Sequence, residues 1–518
     1  MTKKKSPENI DPVSLNIHWT RLVSMVDEAA ATFRRTCFST LVREANDFAV
    51  ILTDANGHSL AQSSRSIPSF IGTLPATVKH LLKDHPAQSL VPGDFLFTND
   101  PWLGTGHLYD VSGAAPLFYK HRLIGFAAVA SHMPDIGGRI WGTGAREIFE
   151  EGLQIPPLKL LRAGTPDAAI VRIIEQNVRV PDLTMGDLWG QVAACRMLQE
   201  RLVDFLDETG VSMEALGREV RRRSQEAMQT AIEQVPDGRY HETVYQDGFE
   251  TDIKIACTVE VRGREMRIDY TGSSAQLPRA VNVVPAYTFA YSAYAVKCLL
   301  EPELPNNEGS FRPLTTSAPP GCVLNPLYPA ASGARHLVGQ MVVPAIMGAL
   351  EPVLPSGGRA QGSGSASFTL TGENSGVRYS SVNFMTAGQG ASAEHDGYST
   401  LSFPSNVGNT PIEVLEALTP VLVQTRQRRA RSGGLGRYRG GEGGQFVFEY
   451  RGESPALINF QVRCRDVAPR GACGGGDGAK ARLRLNARAV DTSANHVLKR
   501  GDLVSIETAG GGGFGAIR

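Results

Sequence analysis

Apolar residues, among them Ile17, Leu22, Met25, Val26, Ala29, Ala30 and Phe33, recur at helical spacing from Leu15 to about Cys37. That pattern predicts an amphipathic helix. Phe48 to Leu52 changes to a continuous apolar run, a short strand closed by the turn Asp54-Ala-Asn-Gly57. Gly93-Asp94 opens a second strand through Phe97, which Asn99-Asp-Pro101 ends. Two long amphipathic helices are expected between Asp182 and Glu233, split near Gly210, the first capped by Thr184 or Asp187. From Tyr240 to Tyr270 apolar residues alternate in strand fashion, as at Ile253, Ile255, Val259 and Val261. Tyr287 to Leu300 is again helix-like. Beyond about Gly357 the chain turns rich in Gly and Ser, with strand-like runs at Phe368–Leu370 and Phe446–Tyr450 and one short helix near Ile412–Ala417.

The expected fold class is α+β (mixed α/β) and multi-domain. Four regions follow from the pattern: an α/β region over 1–180, a helical segment over 181–235, a central α/β domain over 236–410 and a Gly-rich β region over 411–518. The chain has 518 residues, enough for about three domains of ordinary size.

Charge narrows the function classes. Lys plus Arg is 52 and Asp plus Glu is 52, a formal net charge of zero. A neutral chain has no general attraction to nucleic acid or to an anionic membrane surface. No stretch approaches the roughly 18 apolar residues of a membrane span, and the basic start MTKKK leads into no apolar core as a secretory signal would. Seven cysteines, none in C-x-x-C spacing, argue against a disulfide framework or a cysteine-rich zinc module. These features together predict a cytoplasmic protein. No G-x-x-x-x-G-K-S/T loop is present. Gly510, Gly512 and Gly515 have G-x-G-x-x-G spacing, but no helix can follow them to receive a phosphate. No G-x-S-x-G elbow supports a nucleophilic serine. The arginines between Arg426 and Arg439 are read as a solvated loop, and Glu147, Glu150 and Glu151 as an exposed helix start.

Among the eleven histidines, two stand in unusual company. One block runs Asn99-Asp100-Pro-Trp-Leu-Gly-Thr-Gly-His107-Leu-Tyr-Asp110, the other Ser131-His132-Met-Pro-Asp135-Ile-Gly-Gly138. Imidazole and carboxylate together suit zinc, manganese or iron. Val111–Phe118 and Leu123–Ala130 read as strands joined by the four-residue connection Tyr119–Arg122. That hairpin places Asp110 opposite Ser131 and His132 opposite Tyr109. Cross-strand neighbours come within about 5 Å, so the hairpin's far end gathers His107, Asp110, His132 and Asp135. A one-residue slip decides whether Asp110 and His132 share a face.

At these two blocks the sequence resembles the B subunit of the hydantoinase/oxoprolinase family. Further blocks agree along the chain: Asp47-Phe48, Glu147-Ile-Phe-Glu-Glu151-Gly-Leu with Ile155-Pro-Pro, Gly186-Asp187-Leu, Asp269-Tyr-Thr-Gly272, Pro305-Asn-Asn-Glu308-Gly309, Ser432-Gly-Gly-Leu-Gly-Arg437 and Gly510–Gly515. The resemblance implies one divalent transition metal (Zn, Mn or Fe) held by His107, Asp110 and His132, with Asp47 as fourth ligand. It casts Asp100 and Asp135 as catalytic residues that orient ligands or handle a proton. It also implies a partner, a hydantoinase A-type subunit that binds ATP and Mg, and a hetero-oligomer acting on a small cyclic amide such as a hydantoin, 5-oxoproline or a lactam. Related subunits of acetone and acetophenone carboxylases make carboxylation the alternative, and a non-catalytic scaffold for the A subunit the second alternative. Phe70 stands where many relatives carry His, Gly104-Thr-Gly106 replaces Gly-Gly-Thr, and Tyr109 replaces Pro or Asn, departures that bear on substrate identity.

Overall fold

The computed structural model describes residues 10–354 and 357–517; the basic leader read in the sequence falls largely in residues 1–9, outside the described residues. The chain is a mixed α/β fold with four sheets. The first is antiparallel and seven-stranded: β1 (Phe48–Asp54), β2 (Ser59–Gln62), β3 (Phe95–Thr98), β4 (Asp110–Tyr119), β5 (Arg122–His132), β6 (Leu158–Arg162) and β7 (Thr165–Pro166), in the order β2-β1-β5-β4-β3-β6-β7.

Helices Pro12–Thr36, Pro181–Thr209 and Met213–Glu233 cover one face of this sheet. The apolar stripe of the first helix (Leu22, Val26, Ala29, Phe33) is buried with Phe48, Val50 and Leu52 of β1. Asp11 caps that helix, its carboxylate accepting from the backbone N–H groups of Val13 and Ser14. The second helix begins at Pro181, with Val180 as cap and neither Thr184 nor Asp187 in that role. Proline at the first helical position is already set for helix and gives up no needed donor. Asp187 is buried inside the helix and accepts from the backbone N–H groups of Phe38 and Ser39 at 2.8 and 3.1 Å, fastening the chain that leads into β1.

The opposite face packs Ala49 and Ile51 of β1, Ala114 of β4 and Ala128 and Ala130 of β5 against helix Thr73–Asp84, Trp141 and Phe384. Strict alternation along the strands divides the two faces.

A second, four-stranded sheet joins Gly238–Gln246, Ile253–Arg262, Glu265–Asp269 and Leu314–Ser317. Helices Pro285–Leu300 and Val342–Leu350 share its core. Two further sheets, built from strands between Ser365 and Glu507, share a third core around Phe368, Phe448, Tyr450 and Ile506. None of the described helices is long and apolar enough to cross a membrane.

Candidate metal centre

Three neighbouring strands end together. Asp47 immediately precedes β1, Asp110 is the first residue of β4 and His132 the last of β5. Phe48 pairs with Ser131 and Asp110 pairs with His132. By alternation all three side chains share the face of Ala49, Ala114 and Ala130, away from the long helices.

This register differs from the sequence expectation, which set Ser131 opposite Asp110. The β4–β5 turn has two residues, Lys120 and His121, with φ of 47° and 64°. Such a tight turn matches the twist of its strands. A bulge then intervenes: Phe118 pairs with Leu123 but Leu117 with Gly125, leaving Ile124 without a partner. The bulge moves the register by one and brings His132 onto Asp110.

His107 comes from the turn before β4. Gly106 precedes it at φ 92°, and a Cβ there would fall 2.8 Å from Arg335 Nε, so only glycine serves. His107 Nδ1 lies 2.8 Å from the Gly333 carbonyl, and since a carbonyl only accepts, this nitrogen carries the proton. Burial, with Arg335 nearby, pulls the His107 pKa down to about 4, so the ring is neutral at pH 7. Its Nε2 is then a bare lone pair, 2.7 Å from Asp110 Oδ1 and without a hydrogen-bond partner. Two buried acceptors facing each other repel unless a cation lies between them.

His132 Nδ1 is 3.3 Å from the same Oδ1 and 3.9 Å from Asp47 Oδ2. These separations bracket the roughly 3.4 Å spacing of donors around a metal bound at about 2.1 Å. His107, Asp110 and His132 each offer a ligand atom within 4.8 Å of the others. Asp47 stands just outside that trio and lines the same cavity. The donor set, the orphaned His107 lone pair and the backbone carbonyl orienting the ring therefore fit a divalent transition metal.

Charge is balanced from elsewhere in the chain. Arg335 Nη2 donates to Asp110 Oδ2 at 2.6 Å, its Nε donates to the Thr105 carbonyl, and its guanidinium lies 4.3 Å over the Tyr287 ring. Burial opposes ionisation of Asp110, but the charges of His107 and Arg335 outweigh it and hold the carboxyl well below the usual range. With His107 neutral, Arg335 is the group that does this at pH 7. Burial pushes Asp47 up to about 6, against the pull of His132. Trp141, Tyr287 and Phe384 line the cavity and exclude bulk water.

Asp100 and Asp135 stand apart from this cavity. Asp100 caps the turn Pro101–Leu103 by accepting from the Trp102 N–H at 2.9 Å. Asp135 is buried and fully engaged: Arg179 donates to it from its guanidinium and its backbone, and Gly137 N–H adds a third bond. Arg335, at the site, carried no signal in the motifs. Glu151, beside it, belongs to one of the blocks that carry the resemblance but was read as part of an exposed helix start; it is 3% exposed. Its Oε1 accepts from the Ser332 and Gly333 N–H groups at 2.9 and 2.6 Å, and burial raises its pKa to about 8.

A neutral imidazole from the turn before β4, a buried carboxylate and a second imidazole at adjoining strand ends make a candidate metal-ligand set in a mixed α/β fold. The chain belongs to the hydantoinase B/oxoprolinase family, whose profile matches residues 11–517. It is 27% identical to the caprolactamase subunit beta of Pseudomonas jessenii, over 98% of this chain and 91% of that one. The crystal structure of the ATP-dependent caprolactamase from Pseudomonas jessenii superposes with a TM-score of 0.89 at 26% identity, covering 98% of this chain and 91% of that chain. A nucleotide-free acetone carboxylase structure also gives a TM-score of 0.89, at 20% identity and covering 98% and 76%, a likeness of fold.

Proposed function

We propose that this chain is the metal-bearing subunit of an ATP-dependent enzyme that hydrolyses the amide bond of a small cyclic amide, working with a separate ATP-binding subunit of the hydantoinase A type. The observation that carries the reading is the unprotonated His107 Nε2 facing Asp110 Oδ1 beside His132. The family and the ATP-dependent caprolactamase relative supply the reaction class. The chain carries no G-x-x-x-x-G-K-S/T loop, which supports a reading with the ATP chemistry on the partner.

His107, Asp110 and His132 would hold the metal, with Asp47 beside them. Once bound, a divalent metal polarises a carbonyl oxygen or lowers the pKa of a water to near neutrality. The protein's own groups prepare the place. Gly333 fixes the His107 tautomer, so the lone pair points inward and no proton must leave on ligation. Arg335 keeps Asp110 anionic. Asp47 lines the same cavity, 3.9 Å from His132 Nδ1, where its carboxylate would accept a proton from a water. The aromatic walls keep the dielectric low, which strengthens every charge interaction inside.

The test is metal content and ring-opening activity in parallel. His132→Ala is expected to lose bound metal and to lower ATP-dependent amide hydrolysis by at least about a hundredfold, while the subunits still assemble. Full activity in that variant would overturn the assignment. Bicarbonate-dependent formation of a carboxylated product, in place of ring opening, would replace the hydrolytic reading.

A further inference from the structure

The metal cavity is small, about 40 Å³. It has room for a water or two and lies far below the roughly 300 Å³ at which small-molecule pockets begin. A much larger cleft of about 610 Å³ adjoins it. Tyr109 and Gly333 form the wall between them. The Tyr109 ring stacks on His132 with centroids 5.4 Å apart, and Gly333 accepts from His107 Nδ1 while its own N–H donates to Glu151. A molecule in the cleft is thus one residue away from two of the candidate ligands.

Three arginines, Arg139, Arg146 and Arg279, line the cleft against two carboxylates, Glu150 and Glu151. Arg139 is paired with Glu150 at 2.7 Å. The guanidiniums of Arg146 and Arg279 have no carboxylate partner among the described residues; Arg279 lies 5.1 Å over the Phe249 ring. An excess positive charge therefore sits in this cleft even with both glutamates ionised. In a chain of zero net charge the excess is local, and unpaired guanidiniums in a concave site suit a planar or tetrahedral oxyanion, which they bind through paired N–H donors.

We propose that Arg146 and Arg279 seat an oxyanion group of the substrate, either a carboxylate on the ring or a phosphoryl group added before the substrate reaches this chain. The rest of the molecule then lies against the Tyr109–Gly333 wall, facing the metal cavity. This rests on the cyclic-amide reading above and deepens it: the substrate is anionic when it occupies this subunit.

The metal-loaded full chain is titrated calorimetrically with three probes: L-5-oxoproline, 2-pyrrolidinone (the same ring without the carboxylate) and inorganic phosphate. At least one oxyanion is expected to saturate the protein at least tenfold more tightly than 2-pyrrolidinone. The double variant Arg146→Gln/Arg279→Gln is expected to weaken that binding at least tenfold while its metal content and melting temperature stay those of the wild type. Phosphate that binds more tightly than 5-oxoproline and displaces it assigns the site to a phosphoryl group; the reverse order assigns it to a ring carboxylate. Equal binding of the two rings with no phosphate binding, unchanged oxyanion affinity in the double variant, or no saturation by either oxyanion would overturn the proposal. Elemental analysis of the same samples separates the two readings: a wild-type chain without metal fails the functional proposal, whereas one that holds metal but ignores oxyanions fails only this one.

Discussion

Glu151 shows how a single carboxyl can couple a site to pH. Burial raises its pKa from the ordinary 4.5 to about 8, outweighing the two backbone N–H bonds that favour the charged form. The folded chain then holds a proton that the unfolded chain gives up, so this group contributes stability below about pH 4.5 and loses it as pH rises to about 8. Glu151→Gln keeps an acceptor for Ser332 and Gly333 and cannot titrate. Relative to wild type, the variant is expected to gain stability with rising pH between 4.5 and 8, at up to about 1.4 kcal/mol per pH unit. Melting curves of both proteins at pH 5, 6, 7 and 8 measure it, and parallel curves would refute it. The opposite trend from His107, whose lowered pKa costs stability as pH falls from 6.5 to about 4, is common to both proteins and cancels. His107, Asp110 and His132 were legible because histidine and aspartate in Gly-rich turns at strand ends are unusual residues in an unusual place. Glu151 was not, since its burial depends on Ser332 and Gly333, more than 180 residues away in sequence. Asp100 and Asp135 had the right residue type, but a helical cap and Arg179 engage them.

The elements followed their periodicity closely where one stripe or one face was buried. Helix Pro12–Thr36 and strand β1 match their apolar patterns, except that Ile17 falls on the far side of the helix and is exposed. Register was harder, because Ile124 continues the apolar run of β5 and nothing in its residue type marks it as the bulged residue. The Gly-rich C-terminal sequence was harder still, since glycine has no side chain whose pattern could be read. Its structural meaning is backbone contact: Gly511 donates to the Gly441 carbonyl and accepts from the Gly434 N–H. A Cβ on Gly511 would fall 1.9 Å from the Gln389 carbonyl oxygen. Gly511→Ala is therefore expected to destabilise the chain by about 3 kcal/mol through overpacking against backbone that cannot move aside. Chemical denaturation is the direct measurement. A loss under about 0.5 kcal/mol would mean that these segments separate easily and that the close approach has little energetic weight.

At the scale of the molecule, the first sheet supplies the candidate ligands and the segment around helix Val342–Leu350 supplies their counter-charge. Arg335 reaches Asp110 across 225 residues of sequence, and both side chains are nearly inaccessible. Removing one partner of a buried pair strands the other charge and costs about 3–5 kcal/mol. A divalent cation at His107, Asp110 and His132 supplies positive charge to the same carboxylate, so metal and Arg335 partly substitute for each other. Arg335→Leu is expected to lower the melting temperature of the metal-free chain, and added Zn or Mn is expected to raise it more in the variant than in the wild type, because ligand binding to the folded state adds to its stability. The variant should also release metal at higher pH than the wild type, since Asp110 without its guanidinium takes up a proton more readily and a protonated carboxyl is a poor ligand. Calorimetric scans with and without chelator measure both effects. Equal metal-induced shifts in the two proteins would mean that the cation does not sit on Asp110, and would separate the Arg335 ion pair from the metal site it is argued to support.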